Sequence, residues 1–366
     1  ISEMERPNLF SFATSELSQD AFICWLVSWA NNPEEKELSG CAKDFICVLY
    51  NLNKSNKISP EAVTEVKNIR KQYFKTDVYF QVVLNNGIII SFIIEDKVHT
   101  FQHSNQLQRY KEKIENDEIK EDEIVLIYYK TGYIFDWDKQ VVNYGYSILK
   151  SENIIDFLGK YQITNPIFTD YVEYIKTRFS YKPIIDELFS AKEGFKHFSN
   201  DYAQVEFINK LMEDSLDNIN CYSMSNGTSF GKPWALYKFI NIENIVYDRN
   251  EELFYKIVIK SINNSDAYFL SLRHYCKYAF STNVEAAKND KAKRLDFYIN
   301  IFNSIKAEEI TNLKFGKIRS DLSGNYESEI ATIPFDSEKN TVQNVLTELP
   351  KFHKVFVNAV RKAMNL

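Results

Sequence analysis

The stretch TDVYFQVVLNNGIIISFIIEDK, residues 76–97, decides the fold of this chain. Two runs of β-branched and aromatic residues flank the turn sequence NNG at 85–87, which is typical of a β-hairpin. The second run is apolar at odd and even positions until Glu95, Asp96 and Lys97 follow one another. Because strand side chains alternate between faces, this pattern indicates a central strand covered on both sides. The sequence therefore predicts a buried hairpin whose second strand ends in charged residues at the rim of a sheet.

The length of the hairpin loop decides which charged residues share a face. With a three-residue loop and Gly87 in the left-handed conformation, Asp77 lies directly opposite Glu95. A two-residue loop would shift the register by one residue and move Asp77 to the other face. Lys97 shares the face of Glu95, whereas Asp96 points to the opposite face and is predicted to be solvated or salt-bridged.

Directly opposed carboxylates destabilise a sheet by up to about 1 kcal/mol, so the pairing of Asp77 with Glu95 needs a compensating charge. A divalent cation would remove the repulsion, and hard oxygen ligands suit Mg²⁺, which fills its remaining positions with water and phosphate oxygens. Lys97, on the same face, could stabilise a metal-bound hydroxide or the developing charge of a phosphate group. The pattern favours metal-assisted chemistry on a phosphate ester.

The segments on either side of the hairpin complete an order of elements. Apolar residues at helical spacing predict helices before it, at 13–32 and 41–50, and after it, at 104–117. Residues 65–74 are ambiguous between helix and strand, and we favour a strand in the second half. A further strand is predicted at 123–131. The resulting order is helix, three strands, helix and strand.

The remainder of the chain is predicted to form helices first and then an α+β region. The expected elements are helices at 151–161, 165–179 and about 201–216, strands between about 221 and 280, a charged helix at 284–305, a last strand-rich stretch, and a C-terminal helix from about 340. A domain boundary, if there is one, falls near 180–200.

Asp77, followed after seventeen residues by Glu95-x-Lys97, resembles the signature of the PD-(D/E)xK nuclease superfamily. Gln106 and Tyr110 match the Gln-x-x-x-Tyr pattern of its RecB-like members, and the predicted order of elements matches the family core. The likeness covers roughly residues 8–132 and is close to an uncharacterised bacterial branch of the family. Thr76 stands where the proline of the family name would be.

The resemblance implies an α/β fold with a restriction-endonuclease-like core, in which a mixed sheet is flanked by helices. The core with its helical appendage would span 8–180, and a C-terminal α+β region of unknown role would span 200–366. The resemblance also implies a role for each matched residue. Asp77 and Glu95 would bind Mg²⁺ or Mn²⁺, Lys97 would assist the attacking water, Glu16 would help to hold the metal or its water, Gln106 would orient catalytic groups or contact a phosphate, and Tyr110 would support it. Glu65 competes with Glu16 for the third acidic role.

The function implied by this resemblance is Mg²⁺-dependent hydrolysis of DNA phosphodiester bonds, in restriction, anti-phage defence or DNA repair. Two alternatives stay open: a catalytically silent nucleic-acid-binding or scaffold module on the same fold, and an RNA-cleaving enzyme. The intact Asp77, Glu95 and Lys97 favour an active enzyme.

The composition limits how such a protein could bind DNA. The formal net charge of −6 argues against a surface that is positive throughout, so DNA binding requires a local basic patch. The five cysteines form no CxxC, and no apolar run approaches the length of a membrane span, so we expect a cytoplasmic protein with reduced thiols and no membrane partner. A homodimer is left open. The candidate nucleic-acid contacts are Arg70, Lys71, Lys75, His99, His103 and Arg109.

Overall fold

The computed structural model describes residues 7–13, 15–73, 76–98, 124–190, 201–211, 223–229, 232–244, 249–262, 265–278, 283–316, 326–336 and 340–365. The chain divides into two compact units, Ile1–Tyr181 and Lys182–Leu366. Both units combine helices with a five-stranded sheet, so the protein is of the mixed α/β type. No helix in these ranges is long and apolar enough to cross a membrane.

The first unit is built on a mixed sheet with strand order β1-β2-β3-β4-β5. Its elements are α1 (Ser15–Ser28), α2 (Lys36–Asn53), β1 (Val63–Tyr73), β2 (Thr76–Leu84), β3 (Ile89–Lys97), β4 (Ile124–Lys130), α3 (Asp136–Lys139), β5 (Ser147–Lys150), α4 (Ser151–Leu158) and α5 (Pro166–Phe179). Strands β1, β2 and β3 are antiparallel neighbours, whereas β4 and β5 run parallel to β3. The central strand β3 therefore has a strand neighbour at each edge, and its residues from Ile90 to Asp96 are buried on both faces, as predicted.

The hairpin of β2 and β3 has the predicted three-residue loop. Leu84 N donates a hydrogen bond to Ile88 O at 2.9 Å, and Gly87 has the left-handed φ of 83°. Because a side chain is disfavoured at this φ, glycine is the residue that the turn requires. The pairing continues without a shift as far as Val78 opposite Ile94, so the next pair along is Asp77 with Glu95. The predicted register is confirmed.

The two faces of this sheet have different coverings. One face, here called the helix face, carries Asp96 and Tyr129 and packs on α1 and α5, where the Tyr129 and Tyr171 hydroxyls lie 2.9 Å apart. The opposite face, here called the site face, carries Glu95 and Lys97. It also carries a buried cluster of Tyr79, Ile93, Ile124, Leu126, Tyr128, Val141 and Tyr146. The segment between β4 and β5 supplies the last two of these residues and so covers part of the site face.

The predicted elements of the first unit are found with modest changes of boundary. The ambiguous region 65–74 is strand throughout, because Pro60–Ala62 forms only a short 3₁₀ turn and β1 begins directly after it. Asn165 caps α5 by accepting a hydrogen bond from Ile167 N at 3.0 Å. Helix α3 and strand β5 were not predicted from the sequence, and the predicted helix at 104–117 lies outside the described residues.

The second unit contains an antiparallel sheet with strand order β10-β9-β8-β7-β6, as expected for an α+β region. Its elements are α6 (Lys182–Ser190), α7 (Asp201–Lys210), β6 (Ser223–Ser229), β7 (Lys232–Asn244), β8 (Arg249–Ile262), β9 (Ser265–Tyr278), α8 (Val284–Ala307), β10 (Glu327–Pro334) and α9 (Val342–Met364). Helix α6 was not predicted. A buried ionic group ties α8 to the sheet, since Glu251 accepts hydrogen bonds from Arg294 and lies 2.8 Å from His274 Nε2.

Candidate active site

Lys97 lies at the centre of the predicted constellation. Its ammonium group contacts Asp77 Oδ2 at 3.0 Å, Glu95 Oε1 at 2.7 Å and the backbone oxygen of Asp96 at 2.9 Å. An ammonium group has three donors, and here each faces an oxygen. The hairpin register thus brings Asp77, Glu95 and Lys97 together at the end of β3, as the sequence analysis predicted.

The two carboxylates differ in their access to solvent. Asp77 is 24% exposed and its Oδ2 also accepts a hydrogen bond from Asp96 N at 2.8 Å, which fixes the side chain. Glu95 is 0% exposed rather than at an open rim, and its Oε2 has no hydrogen-bond partner among the described residues. A buried carboxylate oxygen without a partner is costly, so this atom marks a place where a ligand would be stabilising.

The pKa values of the site follow from burial and from the two opposed charges. Burial raises the pKa of the Glu95 carboxyl to about 7, with Asp77 adding to the rise and Lys97 opposing it. Burial by itself would lower the pKa of Lys97, but Glu95 and Asp77 outweigh it and raise that pKa above its ordinary value. Lys97 is therefore a cation at neutral pH, whereas Glu95 changes charge near neutral pH.

The predicted environment of Asp96, a solvated or salt-bridged side chain, was wrong. The Asp96 carboxylate is buried against α1, where Gln19 Nε2 donates to its Oδ1 at 3.0 Å and Asp20 forms a second side-chain hydrogen bond with it. Burial raises the pKa of Asp96, and Asp20 and Asp77 raise it further. Two carboxyl groups can share a hydrogen bond only if one keeps a proton, so the Asp20–Asp96 pair is a protonated pair.

The structure separates the two candidates for the third acidic residue. Glu16 Oε1 accepts a hydrogen bond from Val98 N at 3.3 Å, so its carboxylate lies beside the end of β3. Glu65 is exposed and pairs with Val83, six residues along β2 from Asp77, which is about 20 Å at the rise of a strand. Glu65 is therefore too far away, and Glu16 is the candidate close to the site.

A second buried lysine lies next to Lys97. In the parallel pairing of β3 with β4, Lys130 is opposite Lys97 and Tyr128 is opposite Glu95. Lys130 Nζ lies 3.4 Å from Asp138 Oδ1, and the Tyr128 hydroxyl donates to the same oxygen at 2.6 Å. Burial lowers the pKa of Lys130, although Asp138 opposes that effect. Tyr128, Lys130 and Asp138 are here called the floor of the site, because they support it from β4 and α3. These three residues were not predicted from the sequence.

The described residues contain no group of three or more His, Cys, Asp or Glu side chains that could hold a metal ion. The predicted ligand set of Asp77, Glu95 and Glu16 thus stays a prediction. Mg²⁺ commonly takes only one or two protein carboxylates and completes its shell with water and phosphate oxygens. Asp77 and Glu95 fit that smaller requirement, because both contact Lys97 Nζ and Glu95 Oε2 has no hydrogen-bond partner in the described part of the chain.

The predicted basic contacts are only partly described. Arg70 and Lys71 are exposed on β1, and the Arg70 guanidinium lies 4.7 Å from the centre of the Tyr73 ring. Arg70 pairs with Tyr79 and so lies on the site face, whereas Lys71 pairs with Val78 on the helix face. The other predicted residues of the site and of the basic patch lie outside the described residues: Lys75, His99, His103, Gln106, Arg109 and Tyr110.

One sequence signal could have found the buried polar residues of α1. Glu16, Gln19 and Asp20 are three and four residues apart, so they share one face of a helix. A polar face on a helix that must cover a sheet requires polar partners on that sheet. Asp96 is such a partner, at an even position of a strand whose other even positions are apolar.

We expect Asp20→Asn to raise the free energy of unfolding of the metal-free protein at pH 8, and to do so less at pH 4.5. Burial, and then Asp77, raise the pKa of Asp20 to about 7 in the folded state. The unfolded chain loses this proton near pH 4, so stability falls as the pH rises from about 4 to 7. Asparagine stays neutral, and the expected gain at pH 8 is about 1–3 kcal/mol.

Urea unfolding in EDTA at both pH values measures this effect. Asp156→Asn, at an exposed position on α4, is the matched control and should change the stability little at either pH. An equal effect of Asp20→Asn at pH 4.5 and pH 8 would contradict the assignment of a raised pKa.

Comparisons of the chain with models of protein families, with characterised proteins and with solved structures found no match.

Proposed function

We propose that this protein is a metal-dependent nuclease that hydrolyses phosphodiester bonds of DNA, with Asp77, Glu95 and Lys97 as its catalytic residues. The observation that carries the proposal is the convergence of two carboxylates from paired strands on the Lys97 ammonium group, at 3.0 and 2.7 Å. We propose further that the first unit is a restriction-endonuclease-like core. Its antiparallel β1-β2-β3 meander followed by the parallel strand β4 supports that fold.

The residues of the site suit this chemistry in distinct ways. Asp77 and Glu95 would hold Mg²⁺, which when bound polarises a phosphate oxygen and lowers the pKa of a water molecule. Lys97 is held as a cation by its two carboxylates, so it can stabilise the negative charge that develops on the phosphate. Asp96 N donates a hydrogen bond to the Asp77 carboxylate. This bond keeps Asp77, the more exposed of the two proposed metal ligands, in place for a substrate.

Conversion of supercoiled plasmid DNA to nicked and linear forms tests the proposal. We expect cleavage in Mg²⁺ or Mn²⁺ and none in EDTA. Lys97→Ala and Asp77→Asn should each reduce the rate by about 10²–10³-fold, because each removes several kcal/mol of charge stabilisation in the transition state. Thermal melting of each variant checks that the loss is not a loss of folding.

Lys176→Ala is the matched control, because Lys176 is an exposed lysine on α5, which packs on the helix face. It should cleave like the wild type. Cleavage that survives both site substitutions would exclude the site, and the absence of cleavage on plasmid, single-stranded DNA and RNA would exclude the enzyme.

The second candidate is a nucleic-acid-binding module without catalysis on the same fold. It is favoured by the absence of a three-ligand metal group among the described residues and by the closed contact of Lys97 with both carboxylates. The same experiments separate the two functions. A catalytically silent module would bind DNA without cleaving it, and Mg²⁺ would change neither its melting temperature nor its affinity for DNA.

A further inference from the structure

Trp137 is an exposed aromatic residue on the segment between β4 and β5, in which buried residues alternate with exposed ones. Its side chain is 61% exposed, whereas Phe135 and Asp138 are buried on either side of it. An indole ring held in water gains nothing from the hydrophobic effect, and a polar residue would serve the fold equally well at that position. The exposure leaves the indole ring available for stacking on a ligand.

The segment that carries Trp137, residues 135–146, is held firmly and is here called the α3 arm. Asp138 accepts hydrogen bonds from the Tyr128 hydroxyl at 2.6 Å and from Phe135 N at 2.9 Å. At the other end of the arm, Val141 and Tyr146 belong to the buried cluster of the site face. A ring on such a support loses little conformational entropy when it binds a ligand.

The α3 arm lies beside the candidate active site. Val141 packs in the same cluster as Tyr79 and Ile93, a strand pair that lies next to Asp77 and Glu95 on the site face. Asp138, the residue after Trp137, contacts Tyr128 and Lys130, the β4 partners of Glu95 and Lys97. Trp137 is therefore carried by a segment that covers part of the site face, on the same side of the sheet as Lys97.

We propose that Trp137 stacks on an unpaired base of the nucleic-acid substrate, which makes single-stranded DNA, or a frayed end of a duplex, the preferred substrate class. This inference rests on the proposed nuclease function. Every base has a π-face, so a single tryptophan can hold a strand without reading its sequence. A fully paired duplex keeps its bases stacked on each other and offers no free face to the indole ring.

The experiment compares Trp137→Ala, Trp137→Phe and the wild type. Steady-state cleavage of a fluorescent single-stranded oligonucleotide and of a blunt duplex gives KM and kcat in Mg²⁺. Fluorescence anisotropy in EDTA gives Kd for the same single strand and the same duplex. We expect Trp137→Ala to raise KM and Kd for the single strand by about 5- to 100-fold, with kcat and duplex binding unchanged. Trp137→Phe keeps a stacking ring and should stay within about 3-fold of the wild type.

Ile167→Ala is the matched control, since Ile167 is also a large exposed apolar residue, at 41%, but lies on α5. It should leave all constants unchanged. An unchanged single-strand Kd in Trp137→Ala, an equal loss for duplex and single strand, or no single-strand binding by the wild type would each overturn the stacking proposal.

The two readouts keep this proposal separate from the nuclease proposal. If the wild type binds single-stranded DNA through Trp137 but cleaves nothing, the stacking proposal is supported and the nuclease proposal is excluded. If the wild type cleaves DNA and Trp137→Ala behaves like the wild type in both assays, the nuclease proposal is supported and the stacking proposal is excluded.

Discussion

Replacing Glu95 with Gln is expected to abolish Mg²⁺-dependent cleavage and, in the same molecule, to raise the free energy of unfolding without metal. The loss of activity should be about 10²–10³-fold or more, because Gln cannot supply the charge that holds Mg²⁺ at the site. The plasmid assay in Mg²⁺ measures this loss. Opposite effects on activity and stability are typical of a residue kept for function at the expense of the fold.

The gain in stability follows from the burial of Glu95. Its carboxyl is 0% exposed and has a folded-state pKa of about 7, whereas the unfolded chain releases this proton near pH 4.5. The neutral form thus stabilises the fold at low pH, and this contribution is lost as the pH rises from about 4.5 to 7. At pH 8 in EDTA we expect Glu95→Gln to be more stable than the wild type by about 1–3 kcal/mol, measured by urea unfolding.

Two variants serve as controls for Glu95→Gln. Glu65→Gln removes an exposed carboxylate at the far end of the same sheet and should change neither activity nor stability. Asp77→Asn removes an ion-pair partner of Lys97 that is partly exposed, so it should lower activity without any gain in stability. A Glu95→Gln protein that is inactive but strongly destabilised would show that the carboxylate serves the fold, which would contradict the functional assignment.

The hairpin and its register could be predicted because two sequence features act together. The turn NNG at 85–87 selects the loop length, and the alternation of side chains along the two strands then determines which residues share a face. From these alone, Asp77, Glu95 and Lys97 could be placed on one face. That part of the candidate site follows from strand geometry, which is local in sequence.

The environment of Asp96 could not be predicted in this way. Alternation correctly placed it on the face opposite Glu95, but its burial depends on the packing of α1, some seventy residues earlier in the chain. A single charged residue at the end of a strand is predicted to be solvated unless its tertiary partner is known. The polar residues Gln19 and Asp20 of α1 were the only sequence feature that indicated a buried polar partner. That feature can be interpreted only once their contact with Asp96 is known.

The two missed elements of the first unit share a physical cause. Helix α3 has four residues and β5 has four, so neither shows enough periodicity to separate it from a loop. Their stability comes from tertiary contacts, chiefly the hydrogen bonds to Asp138 and the burial of Val141 and Tyr146. The choice between Glu16 and Glu65 also depended on tertiary contacts. Only the pairing of β1 with β2 and the contact of α1 with the end of β3 show how far each residue lies from the site.

The second large effect is expected at Asp138, which holds the floor of the site. Asp138→Ala should lower the free energy of unfolding by about 3–5 kcal/mol, because it removes one member of a buried ion pair and leaves the other in place. Lys130 is fully buried and would lose its carboxylate partner, and the Tyr128 hydroxyl and Phe135 N would lose their acceptor. Urea unfolding at pH 7 measures the change.

Asp136→Ala is the matched control, since it lies two residues away on the same short helix. Its ion pair with Lys139, at 3.0 Å, is exposed to solvent, so its loss should cost less than about 0.5 kcal/mol. The double variant Lys130→Met, Asp138→Leu should recover only the part of the loss that comes from the buried Lys130 charge, because the Tyr128 hydroxyl and Phe135 N still lack their acceptor. If Asp138→Ala were no more destabilising than Asp136→Ala, the buried pair would not support the fold. The floor beneath Glu95 and Lys97 would then have to be held by the strand hydrogen bonds of β3 and β4 alone.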